Sequence, residues 1–291
     1  MKIHRAWIMM ICATLMIGFS FGLTAMVIAI FLSPIATALN CGMGTVSLHF
    51  SFRSIAGLIS VPLIVPVFKK CGFRPTLIIS TLLGGLTLFA MAHSTSGMMF
   101  AVMGVPVTIF TTFTGMQAMF IMLNNWFEKK AGLATAIASC ASALATFVFS
   151  PILSKHLVNH TWNETMTLMA IIFTVGCLLM AIPMRLTPQE IGLQPYGHEE
   201  KGTTASGTSE MLTGLTLTES TKTVPFYILG VVVFAIGFMG AINQQLSAMG
   251  YSIGMDAMTV SNAAMFNALG LLIGKPVIGW VRDRFGGFIC T

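Results

Sequence analysis

Two basic residues, Arg53 and Lys275, lie deep inside apolar stretches of this chain and are its strongest candidates for chemistry. A cation in hydrocarbon costs at least ~2.5–3.5 kcal/mol, so each must face a watery cavity or a partner. Fixed cations in such a cavity suit the binding of an anion. His49 precedes Arg53 by one helical turn on the same face. The pair suits a second anion contact, or a proton-sensitive gate in which histidine titrates near neutral pH. The competing reading is that both cations snorkel, Arg53 to headgroups at one surface and Lys275 toward the other. Asp283 and Arg284 follow Lys275 after about 12 Å of helix and close its end. An Asp–Arg cluster at a helix terminus suits a two-state latch of a few kcal/mol. Simple anchoring explains Arg282 and Arg284 but not Asp283.

The acidic residues narrow the chemistry further. Glu128, Glu164, Asp256 and Asp283 sit at helix ends, and the other five lie between 185 and 224. With no carboxylate deep in an apolar run, coupling through a buried Asp or Glu is unsupported. Basic residues alone suit anion exchange, uniport, or symport through His49. The chain has no H-E-x-x-H, G-x-S-x-G or phosphate-binding loop, which excludes the common hydrolases and ATP-driven transport. No enzyme activity and no cofactor are expected. The six cysteines lack C-x-x-C spacing, so neither a metal site nor a disulfide framework is expected.

The elements that position these residues follow from composition. The chain is 55% hydrophobic and 8% charged, whereas a soluble domain is about a quarter charged. Apolar runs near 7–31, 46–68, 75–93, 98–123, 131–154, 164–184, 225–248 and 257–281 are each long enough to cross ~30 Å of hydrocarbon. The first is too long for a signal-peptide core and is read as an uncleaved helix. Of the fifteen Lys and Arg residues, Lys2, Arg5, Lys69, Lys70, Arg74, Lys129, Lys130, Arg185, Lys201, Lys222, Arg282 and Arg284 all fall on one side, and Lys155 alone on the other. That asymmetry predicts a multi-pass protein of the cell (inner or plasma) membrane with a cytoplasmic N-terminus. The pI of about 9.2 then reflects contact with anionic lipid headgroups rather than nucleic acid.

Three domains are predicted: a six-helix bundle over 1–184, a cytoplasmic linker over 185–224 that is disordered in part, and the start of a second bundle over 225–291. A repeat links the halves. Ser60-Val61-Pro62-Leu63-Ile64-Val65 with Lys69-Lys70-Cys71-Gly72 parallels Gly274-Lys275-Pro276-Val277-Ile278-Gly279 with Asp283-Arg284-Phe285-Gly286, at a constant offset of 214 residues. Parallel repeats of this kind are the logic of two-bundle secondary transporters. On it the second bundle is truncated after about two helices, with Phe288 onward as the onset of a ninth, and the chain is expected to be a fragment of a protein of about twelve spans. The small residues of the fifth run, among them Ala141, Ser142 and Ala145, and Gly18 and Gly22 in the first, are read as close-packing positions. Asn124 and Asn125 are read as caps of an inner turn.

Four stretches carry a family resemblance. Gly279-Trp280-Val281-Arg282-Asp283-Arg284-Phe285-Gly286 resembles the G-x-x-x-D-R-x-G loop of the major facilitator superfamily; the first-half copy keeps only Lys70, Gly72 and Arg74. Trp126 to Ala134, Arg185 to Gly197, and Asn267-Ala268-Leu269-Gly270 with Gly274-Lys275 are similar to motifs of its oxalate/formate antiporter and monocarboxylate transporter-like group. The resemblance implies an all-α membrane fold of two six-helix bundles and alternating-access transport of small organic anions. It implies that Lys275 binds the substrate carboxylate, with Gln244 and Gln245 as further cavity candidates. It also implies that Asp283, Arg284, Gly279 and Gly286, with Lys70 and Arg74, form the gate. Lysine at 275 keeps the charge but lacks the planar fork of arginine, which favours monocarboxylates over oxalate. Two alternatives stand: a facilitator-type exporter of amphipathic drugs, and an inactive membrane fragment acting as an interaction protein. None of these motifs fixes the substrate, the coupling ion, the direction of transport or the oligomeric state.

Overall fold

The structure, a computed structural model, describes residues 4–128, 130–197, 221–244, 249–250 and 253–285; for 241–244, 279–285 and a few other positions it describes the backbone alone. Among the described residues eight long helices follow one another. They are α1 Arg5–Ala38, α2 Met43–Cys71, α3 Phe73–Ala92, α4 Gly97–Trp126, α5 Ala131–Asn159, α6 Trp162–Ala181, α7 Val224–Gln244 and α8 Ala257–Phe285. The fold is all-α. The helices α1 to α6 are each long and apolar enough to cross a membrane, while α7 and α8 hold shorter apolar stretches, Val224–Gly240 and Met265–Lys275.

Most of the helices outrun the apolar runs by a few residues because polar caps extend them beyond hydrocarbon. At the start of α4 the Ser96 hydroxyl accepts from the Met99 amide at 3.2 Å. At the start of α6, Thr161 and Glu164 form a reciprocal capping box, with contacts of 3.4 and 3.1 Å. Replacing Thr161 by Ala is expected to cost about 1 kcal/mol. A thermal melt of the detergent-purified protein checks this, and an unchanged midpoint counts against the cap.

The core is built around α1, which packs on α4, α5 and α6 and buries Met9, Met16, Ile17, Leu23, Ile28 and Phe31. The outer pairs are α2 with α4, and α3 with α4 and α6, while α8 lies along α5. Large apolar side chains face outward on the periphery, such as Leu58 at 79% exposure on α2 and Leu86 at 63% on α3. In water such a belt is untenable; against lipid tails it is the expected surface. Every described side chain of α7 between Val224 and Gly240 is exposed.

The first helix is not uniform. From Gly18 to Met26 it is π-helical and from Val27 to Phe31 it is 3-10. Such interruptions re-aim backbone carbonyls and concentrate at functional positions. Close approach to α5 goes with them: a β-carbon on Gly22 would stand 2.4 Å from the Ala145 methyl. The repeat also diverges in local structure. Pro62 coincides with a 3-10 turn over Val61–Leu63, whereas α8 runs through Pro276 as α-helix.

Of the predicted linker the structure describes residues 185–197 and 221–224. Residues 185–197 fold back onto the end of the bundle, where the Trp126 indole donates to the Arg185 carbonyl at 2.9 Å and the Tyr196 amide to the Trp126 carbonyl at 2.8 Å. A Thr187–Glu190 capping box opens a 3-10 turn at Pro188–Ile191, and Gly192 ends it at φ +69°, where a β-carbon is disfavoured. Tyr196 packs against His4, Trp7 and Phe127 at ring separations of 5.5–5.6 Å. The Asn125 amide reaches the Leu186 carbonyl at 3.4 Å, so its partner is the linker. The two family-like stretches at 126–134 and 185–197 are therefore packed on one another. Tyr196→Ala is expected to cost roughly 1–3 kcal/mol through lost aromatic packing, with proteolysis of the linker accelerating accordingly.

Candidate functional site

A cleft of about 290 Å³ opens between α1, α2 and α4 beside Arg53. Its polar wall consists of Arg53, Ser54, Thr108, Thr111, Thr112 and Gln117, and Phe21 and Phe50 supply apolar surface. Arg53 stands ten residues into α2, about 15 Å from its start, so it is well inside the span. Its Nη1 donates to the carbonyl of Thr24 in the π-helical stretch of α1. Among the described residues no carboxylate pairs with it. A guanidinium has five donors in a planar fork, so one bond to a neutral carbonyl leaves most of its capacity for a ligand.

The threonines of α4 behave in two ways. Thr112 returns its hydroxyl to the Thr108 carbonyl at 2.7 Å and meets Ser60 at 3.1 Å, which is the usual satisfaction of a hydroxyl in an apolar helix. Thr108 differs: it is 8% exposed, lines the cleft, and its hydroxyl has no hydrogen-bond partner. A buried hydroxyl without a partner is costly, and a ligand in the cleft would satisfy it.

His49 is fully buried and is not among the cleft-lining side chains. Its ring packs against Phe100 at 5.3 Å between centroids and against Gly104, and no hydrogen bond of normal geometry reaches either ring nitrogen, the Phe100 backbone being the polar group beside it. An apolar replacement of similar size removes two unpaired polar atoms, so His49→Leu is expected to leave stability unchanged or raised. A melt that falls by more than ~1 kcal/mol would show a partner that this packing lacks.

Lys275 is part-buried and has found partners. Its ammonium donates to the Ser139 carbonyl at 2.9 Å and to the Ser142 hydroxyl at 3.3 Å, both on α5. The structure thus does not bring Lys275 and Arg53 onto a common ligand contact. It places the irregular stretch of α1 between them: Thr24 holds Arg53, and Gly22 lies against Ser142. Lys70 is exposed in the last turn of α2, and Arg74 sits in the first turn of α3 with its Nε buried and unpartnered. Gln244 ends α7, Gly279 lies within α8, and Asp283 and Arg284 fall in its last turn, but the side chains of Gln244, Asp283 and Arg284 lie outside the described residues, as do Gln245 and Gly286 altogether.

Sequence reasoning passed over Thr24, Thr108 and Thr111 as site residues, and took Ser139 and Ser142 for packing alone. The available signal was the clustering of hydroxyls at 108, 111, 112 and 114 in an otherwise apolar helix.

Apolar outer faces around a polar cleft, with a guanidinium on its wall that no carboxylate pairs among the described residues, define a multi-pass membrane protein. The family model of the Major Facilitator Superfamily matches residues 11–290, and the chain belongs to that superfamily. It is a secondary transporter with a major facilitator fold. The comparison with curated proteins finds no match.

Proposed function

We propose that the protein moves small organic anions, monocarboxylates in the first place, across the cell membrane by alternating access. The observation that carries this is Arg53: a guanidinium inside a membrane span, on the wall of a cleft, with no acidic partner among the described residues. An anion is the ligand that recovers the cost of such a charge. The hydroxyl of Thr108 supplies a neutral contact beside it. Lys275 is the second cation, reached by the anion from the α5 side. On this reading residues 1–184 form the first bundle, 185–224 the linker and 225–291 the start of the second, with the N-terminus in the cytoplasm. Asp283, Arg284, Gly279 and Gly286, with Lys70 and Arg74, form its inner gate, and Gln244 and Gln245 are further cavity contacts.

Changing Lys275 to Ala is expected to abolish anion uptake into proteoliposomes while membrane insertion stays intact. Normal uptake by that variant would remove the second cation from the mechanism.

A further inference from the structure

The ammonium of Lys275 is bound to α5, whose Ser142 lies against Gly22 in α1's irregular stretch, and Arg53 is bound to Thr24 in the same stretch. We propose that Lys275 is the bolt of a lock between α8 and α5, and that the transported anion opens it. The proposal rests on the reading of Arg53 as an anion contact, but its readout does not depend on transport.

Three observations place the lock. Lys275 spends two of its three donors on α5, on the Ser139 carbonyl and the Ser142 hydroxyl. The seam around it is close: the Cys140 thiol lies 3.9 Å from the Leu272 carbonyl across the same two helices. Ser142 in turn touches α1, where a β-carbon on Gly22 would stand 3.7 Å from its Cα, two residues before the Thr24 carbonyl that holds Arg53. Both cations are therefore tied to neutral oxygens, Arg53 directly to the irregular segment of α1 and Lys275 to the α5 serines, of which Ser142 lies against it.

The direction of the switch follows from acceptor strength. A carboxylate is a stronger acceptor for a cation than a carbonyl or hydroxyl. An anion that reaches Lys275 from the α5 side competes with Ser139 and Ser142 for the ammonium, and the seam loses its charged tie. What remains among the described side chains is the weak contact of the Cys140 thiol with the Leu272 carbonyl, which rocking helices can break. A ligand shifts a two-state equilibrium only through unequal affinity for the two states. Competition for Lys275 supplies that inequality.

Cys140 reports the seam, since it is 8% exposed and faces it. The test uses the full chain in proteoliposomes with the other five cysteines changed to Ala, and measures the rate at which a maleimide labels Cys140. The parent is expected to label slowly, Lys275→Met at least fivefold faster, Ser142→Ala in between, and Lys275→Arg near the parent. Oxalate, formate, lactate and pyruvate are added in turn; those that are transported are expected to speed labelling of the parent and to leave Lys275→Met unchanged. Should Lys275→Met fail to insert, Ser142→Ala and oxidative cross-linking of Cys140 to Leu272→Cys read the same contact. Labelling of Lys275→Met and Ser142→Ala at the parental rate overturns the lock, even if anion uptake is lost. Accelerated labelling of both variants with no effect of any transported anion overturns the release step. Absence of anion transport with a seam that still loosens in the variants discards the anion reading and the release step with it.

Discussion

Changing Arg53 to Ala is expected to weaken anion binding by roughly 30-fold or more, which is what truncating one member of a desolvated charge pair costs. The effect is large because the described part of the cleft offers the anion no other charge: its remaining polar wall is hydroxyl and amide. Arg53→Lys keeps the charge but loses the planar fork, and is expected to recover only part of the affinity. The measurement is concentration-dependent uptake of lactate or oxalate into proteoliposomes, with protein content matched across variants. Stability is expected to hold or rise in Arg53→Ala, since among the described residues the charge is tied to the Thr24 carbonyl alone and a membrane-buried cation is unfavourable. A variant that folds normally and transports anions with unchanged affinity removes Arg53 from the site.

The second large effect is structural and lies in α1. Gly22→Val is expected to destabilise the protein by ~1–3 kcal/mol, because the added β-carbon meets the Ala145 methyl at 2.4 Å and neither helix can yield without disturbing the seam. Ala145→Gly opens the space that the first change fills, so the double variant is expected to regain most of the loss. Non-additivity of this kind is the signature of direct contact. Thermal melts of the single and double variants read it; simple additivity would place the strain elsewhere.

Much of the architecture was legible in the sequence, because hydropathy and loop charge report how a helix meets lipid. The ends of α1 to α6 fall within a few residues of the apolar runs, apart from α1, which continues to Ala38, and the small-residue reading of Gly22 with Ala145 is matched by their close contact. The shift of α1 from α to π to 3-10 was not legible, since hydropathy does not register which carbonyl an amide reaches. Which part of the linker folds was not legible, for a related reason. Thr, Pro, Glu and Gly there read as a solvated linker, yet the same residues build a capping box and a left-handed turn that dock on Trp126 and Phe127.

The candidate site divides the same way. Arg53 and Lys275 stood out as charges where charge is costly, and both occupy polar surroundings within the helices. Their partners did not stand out. Serine and threonine in apolar helices commonly satisfy themselves on the preceding turn, so Ser139 and Ser142 carried no distinguishing mark, and Thr108 only its place in a cluster of hydroxyls. Only the fold shows that Thr108 has no partner and that Ser139 and Ser142 hold a lysine from α8. His49, paired with Arg53 by spacing, packs into the α2–α4 interface rather than onto the cleft wall.

The charge of the transported solute tests the central claim most directly. The purified protein in proteoliposomes, loaded in turn with formate, lactate, pyruvate or oxalate, is given the same labelled anion outside, alongside parallel vesicles offered an amphipathic cation. Counterflow of at least one of the anions, strongly reduced in Arg53→Ala and not seen with the cation, is the predicted result. Cation accumulation with no anion counterflow would contradict the account and favour an exporter of amphipathic drugs.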